Sequence, residues 1–203
     1  MWYNLEILQD MIVQFAKNLH TLRSKRAAVL PFTFILSKDG KYELWVLLAT
    51  HKKSKEITDL GGGVKRQESD IEAAYREFVE ESNGIFSDVV GSEKDLYECV
   101  SVSRLRDEKC IGPLKTKVYI EGITSIFLPM DPSHFYTTTN AFMRTKKDDD
   151  EISNLLWVKG QDILQPTNNT YKMWGFIRKF YYEALTPELL DMLYVSWIDA
   201  VRR

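Results

Sequence analysis

The sequence has few cysteines, no excess charge of either sign and no long apolar run. Its 203 residues include only Cys99 and Cys110, too few for a disulfide framework or a zinc site, which favours a reducing compartment. A formal net charge of −2 supplies no general basic field, so nucleic-acid binding would need a local basic patch. The chain lacks eighteen consecutive apolar residues and a signal-peptide layout. These absences predict a soluble, cytoplasmic protein.

The residues that are present indicate a compact α/β domain. Hydrophobic residues make up 44% of the chain and aromatic residues 12%. Runs of β-forming residues at 27–36 and 42–50 flank Asp39-Gly40, a strong hairpin signal. Pro31 lies inside the first run and predicts an edge strand or a bulge there. Further strands are predicted near 96–104, 117–128 and 152–158, with a loop at 130–147. Strands interleaved with helices predict a mixed sheet.

Helices are predicted at both ends of the chain. In residues 4–24 the apolar side chains are spaced alternately three and four apart, as in a heptad seam. This spacing predicts that residues 1–26 form an amphipathic helix, which packs on its own domain or forms a homodimer contact. Residues 27–203 are predicted to form the main domain. It ends in a helix at 171–185 and another that begins after Thr186-Pro187.

The most informative stretch is 60–85, which reads LGGGVKRQESDIEAAYREFVEESNGI. Three glycines precede a polar loop and a helix, whose start is marked by the capping box Ser69 to Glu72. Glu77, Glu80 and Glu81 share one face of this helix, because positions i, i+3 and i+4 are neighbours. Like charges this close repel each other, so a positive partner is expected. Carboxylate oxygens favour a hard divalent cation, Mg²⁺ or Mn²⁺.

This stretch resembles the Nudix box, whose pattern is Gly, five residues, Glu, seven residues, then Arg-Glu-apolar-any-Glu-Glu-any-Gly-apolar. Gly62, Glu68 and the run 76–81 occupy its positions at the required spacing. The match departs at its end, where Asn83 stands for the glycine and Gly84 for the apolar residue. Because asparagine tolerates left-handed backbone, we expect the helix to end there with a shifted exit loop. The resemblance implies a Nudix-like α/β/α sandwich with extra terminal helices.

The resemblance also implies hydrolysis of phosphoric anhydrides with Mg²⁺ or Mn²⁺ as cofactor. The implied metal ligands are the Gly61 carbonyl, Glu77, Glu80, Glu81 and Glu151. Arg76 is expected to hold Glu77 by a charge-assisted pair, and Glu68 to support the loop. As the base for the attacking water we predict Glu151, because its spacing before Trp157-Val158 is similar to a segment in many Nudix proteins. The alternatives are Asp148, Asp149, Asp150 and Glu121.

The substrate is less well defined than the reaction. Lys65 and Arg66 are candidates for contacts with substrate phosphates, as are the basic residues at 144–147. The aromatic candidates for stacking on a base are Trp45, Tyr119, Phe135 and Tyr136. We predict a substrate in which a nucleoside diphosphate is linked to another moiety.

Other substrates and one other class of protein are compatible with the sequence. GGGVKRQES and REFVEES resemble the boxes of poxvirus-type decapping proteins, in which the final glycine is also displaced. Capped RNA is therefore an alternative substrate. Separate alternatives are dinucleoside polyphosphates and diphosphoinositol polyphosphates, the latter because some proteins with triple-glycine boxes hydrolyse them. The alternative of a different class is a Nudix-like binding module that has lost catalysis.

Overall fold

The fold is a mixed β-sheet with helices on both faces. The computed structural model describes residues 24–102, 117–120, 123–164, 173, 175, 185 and 187–202. The strands are β1 (Arg26–Leu36), β2 (Tyr42–His51), β3 (Ile57–Thr58), β4 (Leu60–Gly63), β5 (Lys117–Ile120), β6 (Ile123–Pro129) and β7 (Ile152–Lys159). The helices are α1 (Asp70–Ser82), α2 (Glu93–Val102), α3 (Ser133–Thr145), α4 (Gly160–Leu164) and α5 (Pro187–Val201).

Strand β1 lies at the centre of the sheet. It pairs in parallel with β6 and antiparallel with both β2 and β4, while β7 pairs with β2 and β5 with β6. Helices α1 and α3 contribute to an apolar cluster on one face, and α4 and α5 contribute to a second cluster. The predicted α/β class, a mixed sheet between helices, is confirmed.

The edge position predicted from Pro31 is wrong, because β1 has neighbours on both sides. Pro31 falls where the antiparallel neighbour changes, between the pairs Val29–Leu60 of β4 and Phe32–Val46 of β2. The Phe32 carbonyl accepts the Met130 N–H on the β6 side. Since backbone groups alternate along a strand, position 31 faces the β4–β2 junction. A missing N–H costs little there, so proline fits a central strand.

Helix α1 forms as its sequence predicts. The Ser69 side chain accepts the Glu72 N–H at 3.2 Å, and the Glu72 carboxylate accepts the Ser69 N–H at 2.6 Å. This capping box satisfies two N–H groups that the first turn leaves without partners. Ala73, Ala74 and Phe78 are buried against the sheet, which fixes the face of the helix that packs on the strands.

The strand predicted near 96–104 is wrong, because residues 93–102 form helix α2. Ser92 starts it: its hydroxyl accepts the Asp95 N–H at 3.2 Å and its carbonyl accepts the Leu96 N–H at 3.2 Å. Glu93 and Asp95 place negative charge in the first turn, where the helix dipole favours it. The serine at position 92 therefore indicates a helix here, although the apolar residues after it suggest a strand.

The loop predicted at 130–147 is also wrong, because most of it is helix α3. Threonine hydroxyls would compete with helical hydrogen bonds, but here they bond within the helix. Thr137 and Thr138 donate to the carbonyls four residues earlier, at 3.2 and 2.7 Å. Phe142 is fully buried against the sheet. Tertiary packing of this face therefore outweighs the low helix propensity of the segment.

Some predictions fall on residues outside the described ranges. They are the helix at 4–24 apart from residue 24, most of the helix at 171–185, and Glu121. The last helix begins at Pro187, as predicted. Among the helices in the described ranges, none combines the length and the apolar character needed to cross a membrane.

Candidate active site

The glycines of β4 allow two carboxylates of α1 to lie directly against the backbone. A Cβ on Gly62 would lie 2.3 Å from the carboxyl carbon of Glu77. The Gly61 N–H donates to Glu81 Oε2 at 2.6 Å, and a Cβ on Gly61 would lie 2.3 Å from that of Ala28. No side chain fits at either position without displacing a neighbour. The close approach of strand and helix therefore depends on glycine at both positions.

We expect Gly62→Ala to disturb the site because its methyl group would overlap the Glu77 carboxylate. Glu77 would have to move and weaken its pair with Arg76, so hydrolytic activity should fall by at least about tenfold. The matched control is Gly63→Ala, since a Cβ at Gly63 meets no heavy atom within 4 Å. Steady-state kinetics and thermal unfolding of both variants test this. Equal activity in the two variants would contradict the predicted crowding.

Arg76 connects three of the predicted site glutamates. Its Nε and one Nη donate to the two oxygens of Glu68 at 2.8 and 3.0 Å. Its other Nη donates to Glu77 Oε1 at 2.5 Å and lies 3.5 Å from Glu80 Oε2. The bidentate hydrogen bond from Arg76 is the main cause that lowers the pKa of Glu68 to about 2. The expected contact between Arg76 and Glu77 is therefore present, within a larger network.

Glu68 also contacts the loop that follows the glycines. Its Oε2 accepts the Lys65 N–H at 2.9 Å. Because Arg76 holds the same carboxylate, Glu68 connects this loop to the first half of α1. This contact agrees with the supporting role expected for Glu68.

Glu81 points inward, towards the strands. Burial is the main cause that raises its pKa to about 9, and the nearby Asp59 carboxylate raises it further. Arg26 and the Gly61 N–H act in the opposite direction. Asp59 is itself buried and forms an ion pair with Arg26, with Nη2 and Oδ1 2.5 Å apart. Two carboxyl groups, those of Glu81 and Asp59, thus lie beneath the helix in addition to those on its surface.

Sequence reasoning missed Asp59 and Arg26. Asp59 stands directly before the Leu60 of β4, between a buried threonine and a buried leucine. A carboxylate between residues that are buried must itself be paired with a positive charge. In the sequence, the only sign of this is an acidic residue placed directly before the apolar Leu60. Arg26, the first residue of β1, supplies the pairing charge.

The donor chemistry of this region fits a hard divalent cation. Glu77, Glu80 and Glu81 offer only carboxylate oxygens, and the charges of Asp59 and Glu77 both raise the pKa of Glu81. In the arrangement described, Glu77 faces Arg76, Glu81 accepts from Gly61, and the Glu80 side chain is 60% exposed. Among the described residues, no three acidic, histidine or cysteine side chains converge closely enough to hold an ion. The ligand set therefore stays a prediction.

An open cleft of about 570 Å³ lies along the outer side of α1. Its lining includes both predicted phosphate contacts, Lys65 and Arg66, together with Arg76 and Glu80. The remaining lining residues are Gln67, Glu68, Glu72, Tyr75, Val79 and Glu93. Basic charge from the loop and acidic charge from the helix therefore meet the same solvent-filled space. Its volume is within the range of small-molecule sites.

The acidic loop, defined as residues 148–151, lies at the other end of α1. Asn83 Nδ2 donates to Asp150 Oδ2 at 2.8 Å, which places the loop at the C-terminus of the helix. The Glu151 carbonyl accepts the Lys52 N–H at 2.7 Å, and its side chain is exposed. Within the described residues, no contact joins the Glu151 side chain to the carboxylates of α1. Its role as base therefore stays a prediction.

The other candidate residues whose side chains are described do not belong to the cleft lining. Phe135 packs edge-on to Trp45, with ring centroids 4.9 Å apart. The centroid of its ring lies 5.8 Å from that of Trp157. These rings belong to the packing of α3 on the sheet. Tyr136 is 70% exposed on α3. The side chain of Tyr119 is outside the described residues, and residues 144–147 lie at and beyond the end of α3.

Comparisons with known proteins give only distant structural likenesses. No protein-family model matches the chain, and no curated protein sequence matches it. A NUDIX-family hydrolase from Clostridium perfringens has a TM-score of 0.36 and 18% identity, over 85% of this chain and 97% of that one. A C. elegans Ap4A hydrolase in a binary complex has a TM-score of 0.35 and 15% identity, over 87% and 98%. At these values the likeness adds nothing to the argument for function, which depends on the residues of the site.

Proposed function

We propose that the protein is a metal-dependent pyrophosphohydrolase that cleaves a phosphoanhydride bond in a nucleoside diphosphate linked to another moiety. The observation that supports this most is the crowding of Glu77 and Glu81 against the glycines of β4, with Glu80 in the adjoining open cleft. Carboxylates at this density favour a divalent cation, and phosphoanhydride hydrolysis is the chemistry that such a cation assists.

Within this proposal the residues of the site have distinct tasks. Glu77, Glu80 and Glu81 would hold Mg²⁺ or Mn²⁺, with the Gly61 carbonyl and Glu151 as the further predicted ligands. The bound ion would neutralise charge that develops on the phosphate oxygens. Arg76 fixes the orientation of Glu77, with which it forms a 2.5 Å ion pair. Lys65 and Arg66, in the cleft lining, would bind substrate phosphates.

A phosphoryl group is transferred to water in one displacement. The oxygen of a water molecule attacks phosphorus, and the bond between that phosphorus and the bridging oxygen breaks. The leaving phosphate takes the bonding electron pair with the bridging oxygen. The proton of the water passes to the carboxylate of Glu151, which we assign as general base.

A hydrolysis panel tests the proposed function. The purified chain is incubated in ¹⁸O water with Mg²⁺, Mn²⁺ or a chelator, and with ADP-ribose, dinucleoside polyphosphates, nucleoside triphosphates, diphosphoinositol polyphosphates or capped RNA. Metal-dependent turnover with ¹⁸O on one phosphate product supports the proposal. Tight binding of a nucleotide without turnover of any compound contradicts it and favours the inactive binding module.

Salt dependence separates the two main substrate classes. When an enzyme contacts the RNA body, counterions are released from the RNA backbone. Decapping should therefore weaken steeply as salt rises. A small nucleotide has fewer phosphate contacts and should give a shallower slope.

A further inference from the structure

Asn83 joins two segments that are far apart in the sequence. Its backbone is left-handed, with φ 54° and ψ 30°, and its N–H donates to the Glu80 carbonyl at 3.3 Å to close α1. Its side-chain Nδ2 donates to Asp150 Oδ2 at 2.8 Å. A glycine would permit the same turn but has no side-chain amide to donate a hydrogen bond. The side chain of Asn83 therefore adds a link that the turn itself does not need.

The acidic loop is attached to the fold on two sides. On the side of β2, the Lys52 N–H donates to the Glu151 carbonyl at 2.7 Å, and the Lys52 ammonium donates to the Asp148 carbonyl. On the side of α1, Asn83 binds Asp150, whose Oδ2 also accepts the Lys147 N–H at 2.6 Å. Glu151 directly follows Asp150, so the second attachment is made by the residue next to the predicted base.

We propose that Asn83 is a positioning residue whose amide holds the acidic loop at the C-terminal end of α1, and thereby sets the place of Glu151. This rests on the proposed function, in which Glu151 accepts the proton of the attacking water. Asn83 does not touch the substrate in this proposal; it acts through Asp150. The hydrogen bond has a charged acceptor, so it is stronger than a bond between two neutral groups.

The test exchanges the donor and the acceptor. Asn83→Asp places a second carboxylate against Asp150 and should repel the loop, while the left-handed turn remains accessible to aspartate. Adding Asp150→Asn restores an amide–carboxylate pair with the roles reversed. Asn83→Gly keeps the turn and removes only the amide. If the carboxylate introduced by Asn83→Asp acted only through the helix dipole, its effect would persist in the double variant, so rescue shows that positions 83 and 150 act on each other. Asn83→Gly, which adds no charge, reports on the hydrogen bond itself.

Two readouts are measured on the full chain. Hydrogen exchange of the Lys147 and Asp150 backbone amides, which are hydrogen-bonded within this segment, should accelerate about tenfold in Asn83→Gly and Asn83→Asp, the factor expected for losing a hydrogen bond to a charged group. It should return to within about twofold of wild type in the double variant. With the best substrate of the hydrolysis panel, kcat should fall and recover in the same pattern, while KM changes little.

The outcomes separate this inference from the proposed function. Exchange that is unchanged in Asn83→Gly contradicts the link, whatever the activity of the chain. Faster exchange with an unchanged kcat, or a double variant that does not recover kcat, contradicts the positioning role. A wild-type chain that hydrolyses nothing in the panel contradicts the proposed function instead, and the exchange measurement still reports on the link.

Discussion

Replacing Glu80 by glutamine is expected to remove nearly all metal-dependent hydrolysis without unfolding the protein. The Glu80 side chain is 60% exposed and lies 3.5 Å from Arg76, the longest of the ion pairs that Arg76 makes in the described residues. The substitution therefore removes one negative charge while the packing of α1 is kept. The loss of a preorganised charged group at a reacting centre typically costs roughly a hundred- to a thousand-fold in kcat.

A control variant separates this effect from a general loss of charge. Asp191→Asn removes one exposed carboxylate from α5, a helix that packs in the other apolar cluster. Its kcat should stay within about twofold of wild type. Circular dichroism and thermal unfolding of both variants check the fold. A Glu80→Gln enzyme with kcat within a few-fold of wild type would rule out the proposed mechanism.

Arg76→Lys is expected to weaken both the fold and the site, although it keeps the positive charge. Lysine has no planar fork, so it cannot satisfy both oxygens of Glu68 and one of Glu77 together. The free energy of unfolding should fall by about 2 kcal/mol, since hydrogen bonds with charged groups are lost in a partly buried network. Glu77 also loses its orientation, so kcat should fall by about a hundredfold.

Chemical denaturation and kinetics measure the two effects separately. Arg144→Lys on the exposed end of α3 is the control, and its free energy of unfolding should change by less than about 0.5 kcal/mol. If Arg76→Lys proves as stable and active as this control, the network around Arg76 has neither of the roles we assign to it.

The same network predicts how stability depends on pH. The pKa of Glu68 is about 2 in the folded protein, below its ordinary value of 4.5, mainly because of the hydrogen bonds from Arg76. Glu68 therefore contributes stability fully above pH 4.5, and loses that contribution as pH falls from 4.5 towards 2. In Arg76→Lys this part of the acid sensitivity should shrink. Unfolding curves across this pH range compare the two slopes.

The site helix could be predicted from sequence because its signals are local. Ser69 and Glu72 form the capping box within three residues of each other, and the positions of Ala73, Ala74 and Phe78 follow from helical periodicity. The hairpin at Asp39-Gly40 is equally local, with Gly40 at φ 76°. Such features depend little on the rest of the chain, and the structure agrees with them.

The wrong predictions depend on neighbours that the sequence does not place. Pro31 fits a central strand because two different strands meet beside it. The helix at 133–145 forms because Phe142 packs against the sheet. In the site, the link from Asn83 to Asp150 spans 67 residues of sequence, so no spacing rule could reveal it. The orientation of Glu81 on α1 likewise depends on its hydrogen bond with Gly61, which lies on β4.

A calorimetric titration with Mn²⁺ tests the central claim most directly, namely that the carboxylates of α1 bind a divalent cation. The wild-type chain should show saturable binding, and Glu77→Gln/Glu80→Gln should weaken it by at least about a hundredfold, because two anionic ligands are removed. The Asp191→Asn variant should bind as wild type does. Absence of saturable binding, or binding that the double substitution leaves unchanged, would contradict the account.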